Sequence, residues 1–133
     1  MEAGLPERSI TITPRFYETD ALGHINNASI AAWFEVARIT FLESLGNETA
    51  SSASNWMLAS LKIDFIAETF YGTDVTATVT EAVVGNSSVT VHCEMTQDGR
   101  TTVRGSSVLV HFDTSSKSPL RVPDTLRQRL ADL

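Results

Sequence analysis

The chain has 133 residues, of which 42% are hydrophobic and 20% charged, values that are ordinary for one compact globular domain. Its formal net charge of -6 disfavours nonspecific binding to nucleic acid and to anionic membranes. The single cysteine excludes an intramolecular disulfide, and no Cys/His cluster has the spacing of a zinc site. With no signal-peptide pattern and no apolar run of the roughly 18 residues that a membrane helix needs, we predict a cytoplasmic protein without membrane or nucleic-acid partners.

The first predicted element is a strand in the segment SITITPRFY, residues 9–17. Its side chains alternate, which places Ile10, Ile12 and Phe16 on one face and polar residues on the other. Pro14 removes one backbone donor, and proline in a sheet is confined to edges and bulges. We therefore expect this strand to lie at the edge of a sheet or to be bulged at Pro14.

The second element is a helix at residues 28–45, long enough for about five turns. Asn26 or Asn27 is a natural N-cap, because its side-chain oxygen can accept a hydrogen bond from an amide of the first turn. Gly46 is a natural C-terminal stop. Apolar residues surround most of the helix, a pattern that is typical of a buried helix.

Four strand patterns follow, separated by short turn signals. They lie within residues 57–68, 74–84, 89–96 and 101–113. One face of the first of them carries Met57, Ala59, Leu61, Ile63 and Phe65. Short turns predict antiparallel pairing. The tail VPDTLRQRL predicts a short amphipathic helix with Leu126, Leu130 and Leu133 as its apolar positions.

This order predicts an α+β fold that forms one domain over residues 1–133. The antiparallel sheet has an apolar face that must be covered, and the long helix is available to cover it. The simplest arrangement is a five-stranded antiparallel sheet wrapped around one long central helix.

The loop TDALGHINN, residues 19–27, concentrates polar side chains just before this helix. Asp20 is either a turn residue that binds its own backbone or a catalytic base or nucleophile beside the positive end of the helix. Gly23 permits a positive φ. His24 is either a packing residue or an acid–base group, and Asn27 either a cap or a substrate ligand.

Glu35 is an acidic residue in the middle of the apolar helix. A buried carboxylate needs a partner, and Arg38 is three residues away on the same helix surface. The alternative is a catalytic carboxylate whose pKa is raised by burial. Lys117 and Arg121 are either phosphate contacts or solvated charges of the tail. Cys93 alternates with apolar residues, which is typical of an inert core thiol.

The segment FYETDALGHINNASIAAWFEVAR, residues 16–38, resembles the active-site loop and helix of the hotdog-fold acyl-CoA thioesterases of the 4-hydroxybenzoyl-CoA thioesterase group. The residues that carry this resemblance are Tyr17, Asp20, Gly23, His24, Asn26, Asn27, Glu35 and Arg38. Weaker similarity in the later strands extends it along nearly the whole chain. Where many relatives have tyrosine, this chain has Ile30 and Phe65, two departures that bear on the acyl-binding tunnel.

The resemblance implies a thioesterase that hydrolyses an acyl-CoA or acyl carrier protein thioester to a free acid and a thiol. It implies Asp20 as nucleophile or general base, with Glu35 as the second candidate. Backbone amides near Asn27 and Ala28 would stabilise the oxyanion, and His24 would orient the loop or contact the acyl group. Gly23 and Asn26 complete the substrate-binding loop that the resemblance implies.

The resemblance also implies a homodimer or homotetramer with sites between subunits. It implies no metal and no cofactor, since coenzyme A belongs to the substrate. A non-catalytic acyl- or CoA-binding hotdog protein is the alternative function, because fold alone does not fix chemistry. A hotdog dehydratase or hydratase needs a differently spaced acid–histidine pair, which the sequence lacks.

Overall fold

The computed structural model describes residues 8–45 and 55–133 of the chain. These described residues form five strands, two α-helices and a turn of 3-10 helix at Phe16–Glu18. The strands are β1 at Ser9–Ile12, β2 at Trp56–Phe65, β3 at Val75–Val84, β4 at Ser88–Gln97 and β5 at Arg100–His111. The α-helices are α1 at Asn27–Ser44 and α2 at Asp124–Ala131. None of the helices in this described part of the chain is long and apolar enough to cross a membrane.

The five strands form one antiparallel sheet in the order β1-β3-β4-β5-β2, which confirms the predicted sheet. The β4–β5 hairpin turns through Asp98 and Gly99, which have φ of 54° and 74°. Both values fit the Asp-Gly hairpin signal in the sequence. As predicted, β1 lies at an edge. It ends at Ile12, and Phe16 lies beyond it with 76% of its surface exposed rather than on the apolar face of the strand.

Helix α1 packs mainly against β3, β1 and β4. Its buried apolar side chains are Ile30, Trp33, Phe34, Ala37, Phe41 and Leu42. They meet the alternate side chains of β3 and β4, which are also buried. Val36 is 53% exposed, so the helix is not buried on all sides. The predicted stop at Gly46 lies outside the described residues.

The tail helix α2 forms where the sequence predicts it. Leu126 and Leu130 are buried, whereas Leu133 lies beyond the helix and is exposed. Since α2 contacts β3, the sheet is covered by two helices and not by α1 alone.

Strand β2 forms the other edge of the sheet, and most of its side chains are exposed. Its pairing with β5 shifts between Leu58 and Ser60, as in a β-bulge. Leu58 pairs with Leu109 and Met57 with Val110, so Met57 points to the face opposite Leu109. The predicted common face of Met57 and Leu61 is therefore wrong, because the sequence pattern assumed an unbroken strand.

Candidate active site

The side chain of Asp20 folds the loop before α1. Its Oδ1 atom accepts hydrogen bonds from the amides of Leu22, at 2.8 Å, and His24, at 3.0 Å. The amide of Asp20 donates to the carbonyl of His24 at 2.6 Å. Gly23 has φ of +85°, in the left-handed region that glycine adopts without strain from a Cβ atom. The turn interpretation of Asp20 therefore holds for one of its two carboxylate oxygens.

The other oxygen, Oδ2, lies 3.8 Å from Nδ1 of His24. Desolvation is the largest single effect and raises the pKa of Asp20, but the hydrogen bonds from the amides of Leu22 and His24 and the nearby His24 ring together lower the pKa more. The net effect is a pKa below the usual value, so Asp20 is a carboxylate at neutral pH. A carboxylate with one oxygen outside the turn can act as base or nucleophile.

Asp20 borders a cleft of about 300 Å³. Its lining consists of Asp20, His24, Ile25, Asn27, Ile30, Phe65, Ile66, Ala67, Glu68 and Thr69. The cleft thus joins the loop at residues 19–27 and the start of α1 to the end of β2 and the segment that follows it. Ile30 and Phe65, the two departures from the family pattern noted in the sequence, both line this cleft.

The two asparagines before α1 have separate places. Asn26 is the N-cap, and its Oδ1 accepts a hydrogen bond from the amide of Ser29 at 2.7 Å, which confirms the predicted cap. Asn27 is the first helical residue and lines the cleft. The amides of Asn27 and Ala28 lie in the first turn, where an α-helix offers no intrahelical acceptor. This end of α1 therefore presents backbone donors and the positive end of the helix dipole.

The ring of His24 lies between two carboxylates. Its Nδ1 faces Asp20, and its Nε2 lies 3.3 Å from Oε1 of Glu68. The ring also makes an edge contact with Phe70, with centroids 5.3 Å apart. Glu68 is a site residue that the sequence does not reveal, because it lies 44 positions along the chain from His24 and belongs to no recognisable motif.

Glu35 lies outside the cleft lining, and its side chain is 60% exposed. The expectation of a buried acid is therefore wrong for the single chain. Its Oε2 lies 3.6 Å from Nη2 of the buried Arg38, so the ion pair expected as the simpler alternative is present. Burial lowers the pKa of Arg38, and the charge of Glu35 partly offsets this effect.

Lys117 and Arg121 do not approach the cleft of their own chain. The cleft segment is tied to one end of β5 by the hydrogen bond from Ala67 to Thr102, and the tail to the other end by that from Leu120 to His111. These two ends are roughly 30 Å apart at about 3.3 Å per residue. Arg121 instead contacts Asp124 at 3.3 Å.

A second cleft, of about 520 Å³, lies between β1 and α1. The carboxylate in its lining belongs to Glu18, which accepts hydrogen bonds from Nε1 of Trp33 at 2.9 Å and the amide of Arg15 at 2.8 Å. Through these hydrogen bonds Glu18 connects the loop to the helix, and both of its carboxylate oxygens are engaged. Although this cleft is larger, the cleft at Asp20 has the chemistry of a reaction centre.

Within residues 8–45 and 55–133, no group of three or more His, Cys, Asp or Glu side chains is arranged to hold a metal ion. The groups that converge at the cleft are the carboxylates of Asp20 and Glu68, the imidazole of His24 and the amino end of α1.

The sequence profile of the thioesterase-like superfamily matches residues 14–130. A structure described as a predicted thioesterase from Bacillus stearothermophilus is 31% identical, covers 94% of each chain and superposes with a TM-score of 0.85. A thioesterase from Thermus thermophilus, complexed with coenzyme A and Zn, is 26% identical over 99% of this chain and 96% of its own, with a TM-score of 0.82. Among curated proteins, the uncharacterized protein YsmA of Bacillus subtilis strain 168 is 26% identical over 120 residues, which are 90% of this chain and 82% of YsmA. The chain therefore belongs to the thioesterase-like superfamily and is a hotdog-fold protein of the 4-hydroxybenzoyl-CoA thioesterase group.

Proposed function

We propose that this protein hydrolyses an acyl thioester to a carboxylic acid and a thiol, with Asp20 as the catalytic carboxylate. The observation that carries the proposal is the cleft in which an ionised Asp20 and the start of α1 face the same space. Asp20 either attacks the carbonyl carbon or takes a proton from the attacking water. Either route develops negative charge on the carbonyl oxygen.

Backbone amides at the start of α1 are suited to stabilise that charge. Donors from Asn27 and Ala28 would bind the oxyanion, and the helix dipole adds to their effect. Gly23 and Asn26 shape the turn and the cap that hold the loop against the helix.

Coenzyme A is the thiol carrier that we propose, with acyl carrier protein as the alternative carrier. The support is the Thermus thermophilus thioesterase complexed with coenzyme A, which is 26% identical over nearly the whole chain. The chain itself is expected to need no metal or cofactor. We propose that it works in the cytoplasm, where acyl-CoA is made and used.

A second copy of the chain is the partner that we propose. The apolar side chains of β2 lie at an open sheet edge, where Leu61 is 39% and Phe65 52% exposed. In addition, Nη1 of Arg38 is buried without a hydrogen-bond partner among the described residues. Buried polar atoms are usually satisfied, so a second copy that packs against α1 would supply the missing acceptor.

A homodimer, or a homotetramer built from dimers, meets both requirements and would bring residues of one copy toward the cleft of the other. In such an assembly Lys117 and Arg121 of one chain would contact the CoA phosphates held by the other. Glu35, the second candidate acid, would likewise act only at a site shared between copies.

The experiment that tests the function is thiol release from a panel of acyl-CoA esters, followed alongside acyl-CoA binding. Turnover of at least one ester is the expected result. Binding without turnover across the panel would contradict the proposal and favour the non-catalytic acyl- or CoA-binding protein. Burial raises the pKa of Cys93 to about 11, so the thiol of the protein itself stays protonated and does not contribute to the signal.

A further inference from the structure

We propose that Glu68 is a positioning residue that holds His24 so that His24 and Asp20 together bind the hydrolytic water. This inference rests on the proposed thioester hydrolysis and adds a residue to its machinery. The loop at residues 19–27 contains no partner for Nε2 of His24. In the structure that partner is Glu68, from the segment after β2.

The two carboxylates meet opposite nitrogens of the same ring. Oε1 of Glu68 lies 3.3 Å from Nε2, and Oδ2 of Asp20 lies 3.8 Å from Nδ1. These are the charged side chains within ion-pair distance of His24 in the described part of the chain. A ring flanked in this way has a defined orientation, with one edge toward each acid.

The contact with Glu68 selects the form of the neutral ring. A neutral imidazole carries its hydrogen on one nitrogen and accepts on the other, and the partner of one nitrogen sets the role of the second. Because a carboxylate only accepts, Glu68 favours the hydrogen on Nε2. Nδ1 is then an acceptor on the side of Asp20.

The gap between Nδ1 and Asp20 suits a water molecule. A separation of 3.8 Å is too long for a direct hydrogen bond, and polar groups at such distances are commonly bridged by water. Both atoms are acceptors in this arrangement, so one water would donate one hydrogen to each. Its lone pairs would then face the cleft, where the thioester carbonyl binds.

This arrangement supports hydrolysis of the thioester by the bound water. The oxygen of the water attacks the carbonyl carbon of the thioester, and the proton that it donates toward Oδ2 passes to Asp20, while Nδ1 of His24 holds the other hydrogen. The tetrahedral intermediate then expels the thiolate as the carbon–sulfur bond breaks, and Asp20 returns the proton to the sulfur. The products are the carboxylic acid and the thiol, and Asp20 is a carboxylate again.

The backbone keeps Glu68 close to the loop. His24 pairs with Phe70 in an isolated antiparallel bridge, and the amide of Ile25 donates to the carbonyl of Thr69 at 2.8 Å. The hydroxyl of Thr69 in turn donates to that of Thr102 on β5 at 3.0 Å. The Glu68 side chain itself is 61% exposed, so its replacement removes a charge at the cleft and little packing.

A double-mutant cycle in the full-length protein tests the proposal, with Glu68→Gln, His24→Gln and the combined variant. We expect Glu68→Gln to lower kcat at least about tenfold with KM within twofold, as part of the ~100-fold or larger effect of a general base. In the His24→Gln background the same change should have no further effect, because Glu68 acts through the ring. Glu81→Gln, at an exposed position of β3, is the matched control and should leave kcat unchanged.

Nitrogen NMR of the His24 ring gives a readout that needs no substrate. We expect the Nε2–H form in the wild type and a mixture of forms in Glu68→Gln. A ring that carries its hydrogen on Nδ1 in the wild type would overturn the proposal.

Three kinetic results would also overturn it: wild-type kcat in Glu68→Gln, a change confined to KM, or additive losses in the double variant. Failure of the proposed function would look different, because the wild type itself would then release no thiol from any ester.

Discussion

At the scale of single residues, the two oxygens of Asp20 have different tasks. One closes the turn through the amides of Leu22 and His24, and the other faces the His24 ring and the cleft. The turn interpretation and the catalytic interpretation of this residue are therefore compatible. The turn holds the second oxygen in place before substrate arrives, which is how an enzyme avoids ordering its catalytic groups during the reaction.

The first prediction concerns the titration of Asp20. Because its amide donors bind the charged form, the pKa of Asp20 should lie below the ordinary value of 3.8. The charged carboxylate therefore stabilises the folded chain above that value, and this contribution is lost as the pH falls through the lower folded-state pKa. Carbon NMR of the side-chain carboxyl groups measures the pKa of Asp20, and the Asp20 signal is assigned by its loss in Asp20→Asn. A midpoint above 3.8 would contradict the proposed hydrogen bonding.

The turn at Asp20 and the cap at Asn26 could be predicted from the sequence because both depend on neighbours within a few positions. Glu68 could not, because its contact with His24 depends on how β2 ends and how the next segment returns past the loop. The exposure of Glu35 could not be predicted for the same reason. It depends on which side of α1 the sheet covers, and no local sequence pattern determines that side.

At the scale of elements, the start of α1 places a helix cap and a cleft-lining residue at adjacent positions. Asn26 caps the helix, and Asn27 reaches the cleft. We expect Asn26→Ala to lower the free energy of unfolding by about 1 kcal/mol, because the amide of Ser29 loses its acceptor. Urea denaturation measures this change. Asn27→Ala is the control, and a larger loss of stability in that variant than in Asn26→Ala would show that the cap is misassigned.

The next prediction isolates the backbone donor of the proposed oxyanion site. Asn27→Pro removes one amide hydrogen at the first helical position, where proline is well tolerated. Asn26 has φ of -71° and ψ of 156°, an extended conformation that proline permits in its predecessor. Relative to Asn27→Ala, which lacks only the side chain, we expect Asn27→Pro to lower kcat by ~100-fold. Equal kcat in the two variants would exclude this amide as a donor.

The strands show where a periodic pattern is sufficient and where it is not. Alternation in β4 predicts its buried positions because that strand is continuous and central in the sheet. In β2 the shift near Leu58 moves Met57 to the other face, and alternation alone cannot reveal an extra residue. The order of the strands in the sheet also depends on contacts between distant segments. The succession of elements along the sequence does not determine that order.

At the scale of the whole molecule, the edge formed by β2 is the feature that a single chain leaves exposed. Leu61 is 39% exposed there. On α1, Nη1 of Arg38 is buried without a partner among the described residues. We expect Leu61→Arg to convert the oligomer to a monomer at micromolar concentration, because it places a charge in an apolar interface. Analytical ultracentrifugation measures the change.

The control for that prediction is Val83→Arg, which places the same charge at a similarly exposed position of β3. It should leave the assembly intact. An unchanged assembly in Leu61→Arg, or dissociation in both variants, would contradict the proposal that a second copy covers β2. Loss of thiol release together with dissociation of Leu61→Arg alone would support sites formed between copies.

The central claim is that the carboxylate of Asp20 carries the reaction, and kcat of Asp20→Asn tests it most directly. Asparagine keeps an oxygen for the amides of Leu22 and His24, so the turn should persist while the charge is lost. Asp113→Asn is the matched control, since Oδ1 of Asp113 accepts from the amide of Ser115 at 2.8 Å in a similar turn outside the cleft. We predict at least a ~100-fold loss of kcat in Asp20→Asn and wild-type kcat in Asp113→Asn. Wild-type kcat in Asp20→Asn would contradict the account.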